Sequence, residues 1–177
     1  MEGFDAILQA ATAAVPPEYF RLPVAGGPAI YRERVYCYEL YHQLRLLWPD
    51  PSDFALNGEI DKSAHPVLTG LGVNGRKPDF LVHRPGAMAD NYAIIEVKPC
   101  RVSSADIAKD IETLSLFRGS VGYARAILLV YGDQIGERLL ARVHWIAEAT
   151  EGLQPVELWL HPRAGQPALH QDMLGDG

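Results

Sequence analysis

Asp79, Glu96 and Lys98 are the residues of this chain best spaced to do chemistry. Asp79 opens the stretch Phe80-Leu81-Val82-His83-Arg84, and Glu96 and Lys98 close Tyr92-Ala93-Ile94-Ile95-Glu96-Val97-Lys98. Both stretches are short and rich in Val, Ile, Phe and Tyr, and turn formers at 84–91 separate them, which predicts two strands. Strand side chains alternate between faces, so Ile94, Glu96 and Lys98 share one face of the second strand. If the strands pair as a hairpin, the start of the first lies beside the end of the second. Asp79 then comes within reach of Glu96 and Lys98. Two carboxylates and a lysine at one sheet end form a site for a hard divalent cation with an adjacent activated water. A plain salt bridge at a sheet edge is the competing explanation.

The elements that must position these residues are legible in order. Residues 3–14 carry Phe4, Ile7, Leu8 and Ala11 at helical spacing, and Val15-Pro16-Pro17 ends that helix. Residues 16–29, with four prolines and Gly26-Gly27, predict a loop. Residues 31–48 predict a long helix with an apolar stripe of Tyr36, Leu40, Leu44 and Leu47, stopped by Pro49. Glu39 falls near the margin of that stripe, and Glu33, further from it, is the other candidate carboxylate. Residues 53–61 predict the first strand, with Asn57, Glu59 and Asp61 on one face, and 63–76 a turn-rich loop leading into the site. After Lys98, Ser103 and Asp106 form a capping-box pattern for a helix with Ile107, Ile111 and Leu114 on one face, ending at Gly119. Arg125–Tyr131 is a continuous apolar run that suits a central strand covered on both faces. Asp133 is the expected cap of a helix carrying Ile135, Leu139, Leu140, Val143 and Ile146. Val156, Leu158 and Leu160 predict a last strand at the sheet edge. The 162–177 tail, Pro- and Gly-rich, is expected to be mobile.

Pro78-Asp79 followed by Glu96-Val97-Lys98 after a hydrophobic strand resembles the signature of the PD-(D/E)XK nuclease superfamily. The resemblance runs from the helix at 31–48 to the strand at 125–131. It implies an α/β restriction-endonuclease-like core: a mixed central sheet flanked by helices, in the order α-β-β-β-α-β, then α-β. The periodicity reading arrives at the same order independently. It also implies a single nuclease-like domain over 1–177, with an N-terminal helix and proline-rich loop at 1–29 and a core at 30–161. The implied activity is metal-dependent hydrolysis of phosphodiester bonds, by an endonuclease acting on DNA in preference to RNA, in a defence, restriction or repair setting. Asp79 and Glu96 would bind Mg²⁺, with Mn²⁺ as a substitute, and the backbone carbonyl of Val97 would add a ligand. The family often supplies a Glu from the first helix, and Glu39 matches that position. Lys98 would orient or help deprotonate the attacking water.

Composition bounds the partners. The chain has 177 residues, 48% hydrophobic and 21% charged, which is ordinary for one globular domain. No apolar run approaches the ~20 residues needed to span a bilayer, and the acidic N-terminus lacks a signal pattern. Cys37 and Cys100 have no metal-type spacing, and a reduced, cytoplasmic protein is expected. The net charge of −6 is unusual for a protein that grips nucleic acid unaided. The span 62–101 nevertheless holds six basic residues against three acids. Arg76, Lys77, Arg84 and Arg101 are the expected phosphate contacts, and a homodimer or partner subunit is expected to add surface. His83 shares a face with Asp79 and reads as a packing residue. An inactive nuclease-like scaffold within a larger complex, and a small-molecule enzyme using Mg²⁺, stay open as alternatives.

Overall fold

A computed structural model of the chain describes residues 1, 3–58, 77–86 and 90–175. Helix α1 (Phe4–Ala13) and a short α2 (Pro17–Phe20) lead into a small hairpin of β1 (Leu22–Val24) and β2 (Gly27–Ile30). The stretch 16–29 therefore holds a helical turn and two short strands where a loop was expected. The long helix α3 spans Glu33–Leu46. It is followed by β3 (Ala55–Gly58), β4 (Phe80–His83) and β5 (Asn91–Pro99), then α4 (Ser104–Leu116), which runs into a π-helical turn at Phe117–Val121. β6 (Arg125–Tyr131), α5 (Glu137–Ala149), β7 (Val156–His161) and β8 (Leu169–Leu174) complete the chain.

Six strands form one mixed sheet in the order β3-β4-β5-β6-β7-β8. β3, β4 and β5 are antiparallel neighbours, β5, β6 and β7 are parallel, and β8 returns antiparallel to β7. The α-β-β-β-α-β-α-β order expected from periodicity is present. Two expectations fail at the C-terminal end. β7 is covered on its outer side by β8, so the last strand is not Val156–His161, and Leu169–Leu174 is a paired strand within the stretch expected to be a mobile tail. Alternation in Leu169–Leu174 is weak because four of its six residues are exposed, which hid it in the sequence. The helix after Asp133 starts later than expected, with Gly136 at its cap position.

The sheet is buried on both sides. On one face Leu81, Ile94, Leu128, Val130, Leu158 and Leu160 pack with Ile107, Ile111 and Leu114 of α4 and Leu139 and Val143 of α5. On the other, Val82, Ile95, Val97, Ile127, Leu129 and Trp159 pack with Phe4 and Leu8 of α1 and Tyr36, Leu40 and Leu44 of α3. This two-sided burial is why β6 reads as an unbroken apolar run. Truncating one such residue, Leu128→Ala for instance, removes about 2–5 kcal/mol. The Ser103 cap forms as its pattern predicts: its Oγ accepts the Asp106 N–H at 3.1 Å and donates to Asp106 Oδ2 at 2.6 Å. Gly132 closes β6 with φ +136°, and a Cβ there would lie 2.4 Å from Cys100 Sγ, so only glycine lets the ends of β5 and β6 approach. Among the described residues no helix is long and apolar enough to cross a membrane.

Candidate active site

The hairpin register puts the three charged residues together. β4 pairs with β5 from Phe80↔Ile95 to His83↔Asn91, so Asp79, one residue ahead of β4, falls opposite Glu96. Beyond the last paired residue, Asp79 Oδ2 accepts the Val97 N–H at 2.7 Å and continues the ladder through its side chain. Glu96 and Lys98 lie on the face of β5 that also carries Ile94, the face covered by α4. The Asp79 and Glu96 carboxyl groups are close enough to influence each other's protonation.

Two further carboxylates complete the cluster. Lys98 Nζ lies 3.0 Å from Glu33 Oε2, at the start of α3, and 3.2 Å from Asp110 Oδ2, on α4. The Asp110 contact is an ion pair, and its Oδ2 has no hydrogen-bond partner among the described residues although Asp110 is only 5% exposed. Glu39, expected in this role, lies elsewhere on the helix and accepts a 2.6 Å bond from Gln43 Nε2, one turn on. Counted at about 100° per residue, Glu33 lies within the arc of Tyr36, Leu40 and Leu44, whereas Glu39 stands about 100° off its centre. Glu33 therefore stands inside the apolar stripe, not further from it as expected. Asp110 was missed altogether. It lies three residues after Ile107 and four before Leu114, inside the apolar stripe of its helix. Cys37, one turn after Glu33 and buried, borders the same carboxylates.

Burial and mutual repulsion govern the protonation of this cluster. Burial, partly offset by the Val97 N–H and Lys98, raises the Asp79 carboxyl to about 6. Burial raises Glu96 well above the carboxylate range, and the charges of Asp79 and Asp110 push it further. Asp110 is raised to about 6, again chiefly by burial, with Lys98 opposing. Burial works against the Lys98 charge, but Asp110, Asp79 and Glu33 outweigh it and hold the ammonium above its ordinary pKa. Lys98 is therefore a hydrogen-bond donor at neutral pH, and a role in accepting a proton from water does not fit it in this state. Burial, followed by the neighbouring carboxylates, likewise keeps the Cys37 thiol protonated.

The donor set suits one class of ion. Among the described residues no group of three His, Cys, Asp or Glu side chains is arranged to hold a metal ion. Two hard carboxylates side by side at one sheet end match an ion such as Mg²⁺, which keeps several waters and takes one or two protein carboxylates. Asp79 and Glu96 are the residues that would hold it.

The expected phosphate contacts are divided. Lys77 is exposed two residues ahead of Asp79, and Arg101 is exposed just past the end of β5, with its Nε donating to Gln134 Oε1 at 2.7 Å. Both stand at the end of the sheet that carries Asp79, Glu96 and Lys98. Arg84 does not. It follows the far end of β4, roughly 16 Å along the strand from Asp79, pairs with Asp53 at 3.1 Å and Asp90 at 3.2 Å, and lies over the Phe54 ring. Arg84, expected among the phosphate contacts, is therefore remote from Asp79, Glu96 and Lys98. Arg76, Glu59 and Asp61 lie outside the described residues. His83 faces Asn57, with Nε2 and Oδ1 2.7 Å apart.

No family model matches the chain, and no curated protein matches it. Among solved structures it is similar to SfsA from Pyrococcus furiosus, described in complex with Ca²⁺. The identity is 14%, the match covers 88% of this chain and 75% of that one, and the TM-score is 0.38. At that distance the likeness carries no inference about chemistry, which rests on the side chains above.

Proposed function

We propose that the chain is a divalent-metal-dependent nuclease that hydrolyses phosphodiester bonds, with DNA as the favoured substrate and Mg²⁺ as the favoured ion. The observation that carries this is the convergence of Asp79, Glu96 and Lys98 at one end of the β4–β5 hairpin. Asp79 and Glu96 give up protons when the site is charged with cation, and Glu33 and Asp110 add negative potential that favours that exchange. An ion held by Asp79 and Glu96 would supply positive charge where the phosphoryl and leaving oxygens gain negative charge. Lys98, held as an ammonium, donates to the attacking water or to the phosphoryl oxygen where negative charge develops. Lys77 and Arg101 contact flanking phosphates, and a second copy or a partner supplies the surface that an acidic chain lacks.

Incubation with supercoiled plasmid, linear duplex and single strands of DNA and RNA, with Mg²⁺, Mn²⁺ or EDTA, tests the reading. Cleavage is expected with either ion and not with EDTA, and Asp79→Asn is expected to abolish it. Inert nucleic acid under every condition, or cleavage retained by Asp79→Asn, removes the proposal. A non-catalytic nuclease-like subunit is the second reading. It is favoured by the double pairing of Lys98, which occupies the ammonium with Glu33 and Asp110, and it predicts nucleic-acid binding without cleavage in the same experiment.

A further inference from the structure

We propose that Asp110 is a positioning residue of this site: from α4 it fixes the Lys98 ammonium on the catalytic face of β5. The catalytic consequence rests on the nuclease reading, whereas the placement of Lys98 does not. Lys98 has four rotatable side-chain bonds and stands near the end of its strand, so backbone geometry leaves its head undetermined. Two carboxylates determine it. Glu33 reaches it from the N-terminal end of α3, and Asp110 reaches it from α4 on the opposite side of the sheet. Their surroundings differ. The Glu33 side chain is 38% exposed, and that of Asp110 is 8% exposed.

An exposed carboxylate competes with water and holds an ion loosely, whereas a buried one holds it firmly. The Asp110 Oδ2 is buried without a hydrogen-bond partner among the described residues, and the Lys98 ammonium 3.2 Å away is the cation paired with it. A buried carboxylate in an apolar stripe, where Ile107, Ile111 and Leu114 pack the sheet, is costly in any other role. Without Asp110 the ammonium keeps only the more exposed Glu33 carboxylate as a paired partner and is held less firmly.

The test combines turnover with a direct view of the ammonium. In the ¹⁵N spectrum of the whole protein, the Lys98 ζ signal, assigned by its loss in Lys98→Met, should be protected from exchange. Asp110→Asn should shift it and speed its exchange at least tenfold, while Glu112→Gln, the same charge change at an exposed position of α4, should leave it unaltered. For duplex DNA with Mg²⁺, Asp110→Asn should lower kcat at least tenfold with KM held within twofold. Added to Lys98→Met, it should lower kcat no further. Asp110→Ser, smaller and neutral, should reproduce the spectral effect should the asparagine variant fail to fold. An unchanged Lys98 signal in both Asp110 variants overturns the inference, as does an undiminished effect of Asp110→Asn on kcat in the Lys98→Met background. A native protein that cuts nothing ends the nuclease reading instead, and the spectrum still decides whether Asp110 holds Lys98.

Discussion

Asp79→Asn should stabilise the metal-free protein at neutral pH, and the gain should vanish in acid. Burial raises the Asp79 carboxyl to about 6 from the ordinary 3.8. A carboxyl raised on folding favours the folded state while protonated, so its contribution is present below about pH 4 and is lost by about pH 6. A shift of about two pH units at 1.36 kcal/mol each amounts to about 3 kcal/mol. Asparagine keeps an acceptor for the Val97 N–H at 2.7 Å and carries no charge, so it avoids that loss. His161 works in the opposite sense: burial lowers it to about 4, so it adds stability that is present above about pH 6.5 and lost as the pH falls. The raw melting curve mixes both signs, and the informative quantity is the variant's Tm minus the native Tm. For a chain of this length, 1 kcal/mol moves Tm by about 2–4 °C. The difference should therefore grow by roughly 6–12 °C between pH 4 and pH 7.5, in scanning calorimetry with EDTA. Ca²⁺ at about 100 times its Kd should add about 2.7 kcal/mol to the native protein alone, and only at the higher pH, where the carboxyl protons leave readily. A pH-independent difference, or equal stabilisation of native and variant by Ca²⁺, refutes both the charge crowding and its relief by a cation.

Glu33→Gln should weaken Ca²⁺ binding about three- to tenfold in calorimetric titration, because it removes a negative charge from the cluster, about 0.6–1.4 kcal/mol. Glu39→Gln should leave that affinity unaltered, since its carboxylate is occupied by Gln43. A Lys77→Ala/Arg101→Ala variant should lose about two units of log–log salt slope in duplex binding with Ca²⁺ present, and Arg84→Ala should lose none. Equal slopes for all three proteins would remove the basic residues from the interface. Arg125→Ala should cost about 3–5 kcal/mol in urea unfolding, because it strips the cation from a buried Glu157. That carboxylate takes two bonds from Arg125, at 2.6 and 2.7 Å, and one from Trp159 Nε1 at 2.9 Å.

What the sequence disclosed and what it hid follow from one physical contrast. Period-two and period-3.6 apolar patterns report which face of an element is covered, so the order of the main helices and strands was legible from residues such as Ile94, Leu128 and Leu40. Lone β8 was not, because an outer strand with four exposed residues lacks that alternation. The hairpin trio was legible because a strand's alternation forces Glu96 and Lys98 onto one face, and the turn brings Asp79 back beside them. The supporting carboxylates were harder, yet they left the same mark. Glu33 and Asp110 both stand where the helical period calls for an apolar residue: Glu33 one turn before Tyr36 and Cys37, Asp110 between Ile107 and Leu114. A carboxylate in such a place is drawn toward the core, wholly for Asp110 and partly for Glu33, and a charge removed from water demands a partner. Lys98 presents the same problem on β5, a cation in an apolar strand. Each of the three charges lacks a local explanation, and each is resolved only by the others, across both faces of the sheet. The site is thus marked in the sequence by polar residues that break the period of otherwise regular elements, more strongly than by the short Asp79, Glu96 and Lys98 spacing alone.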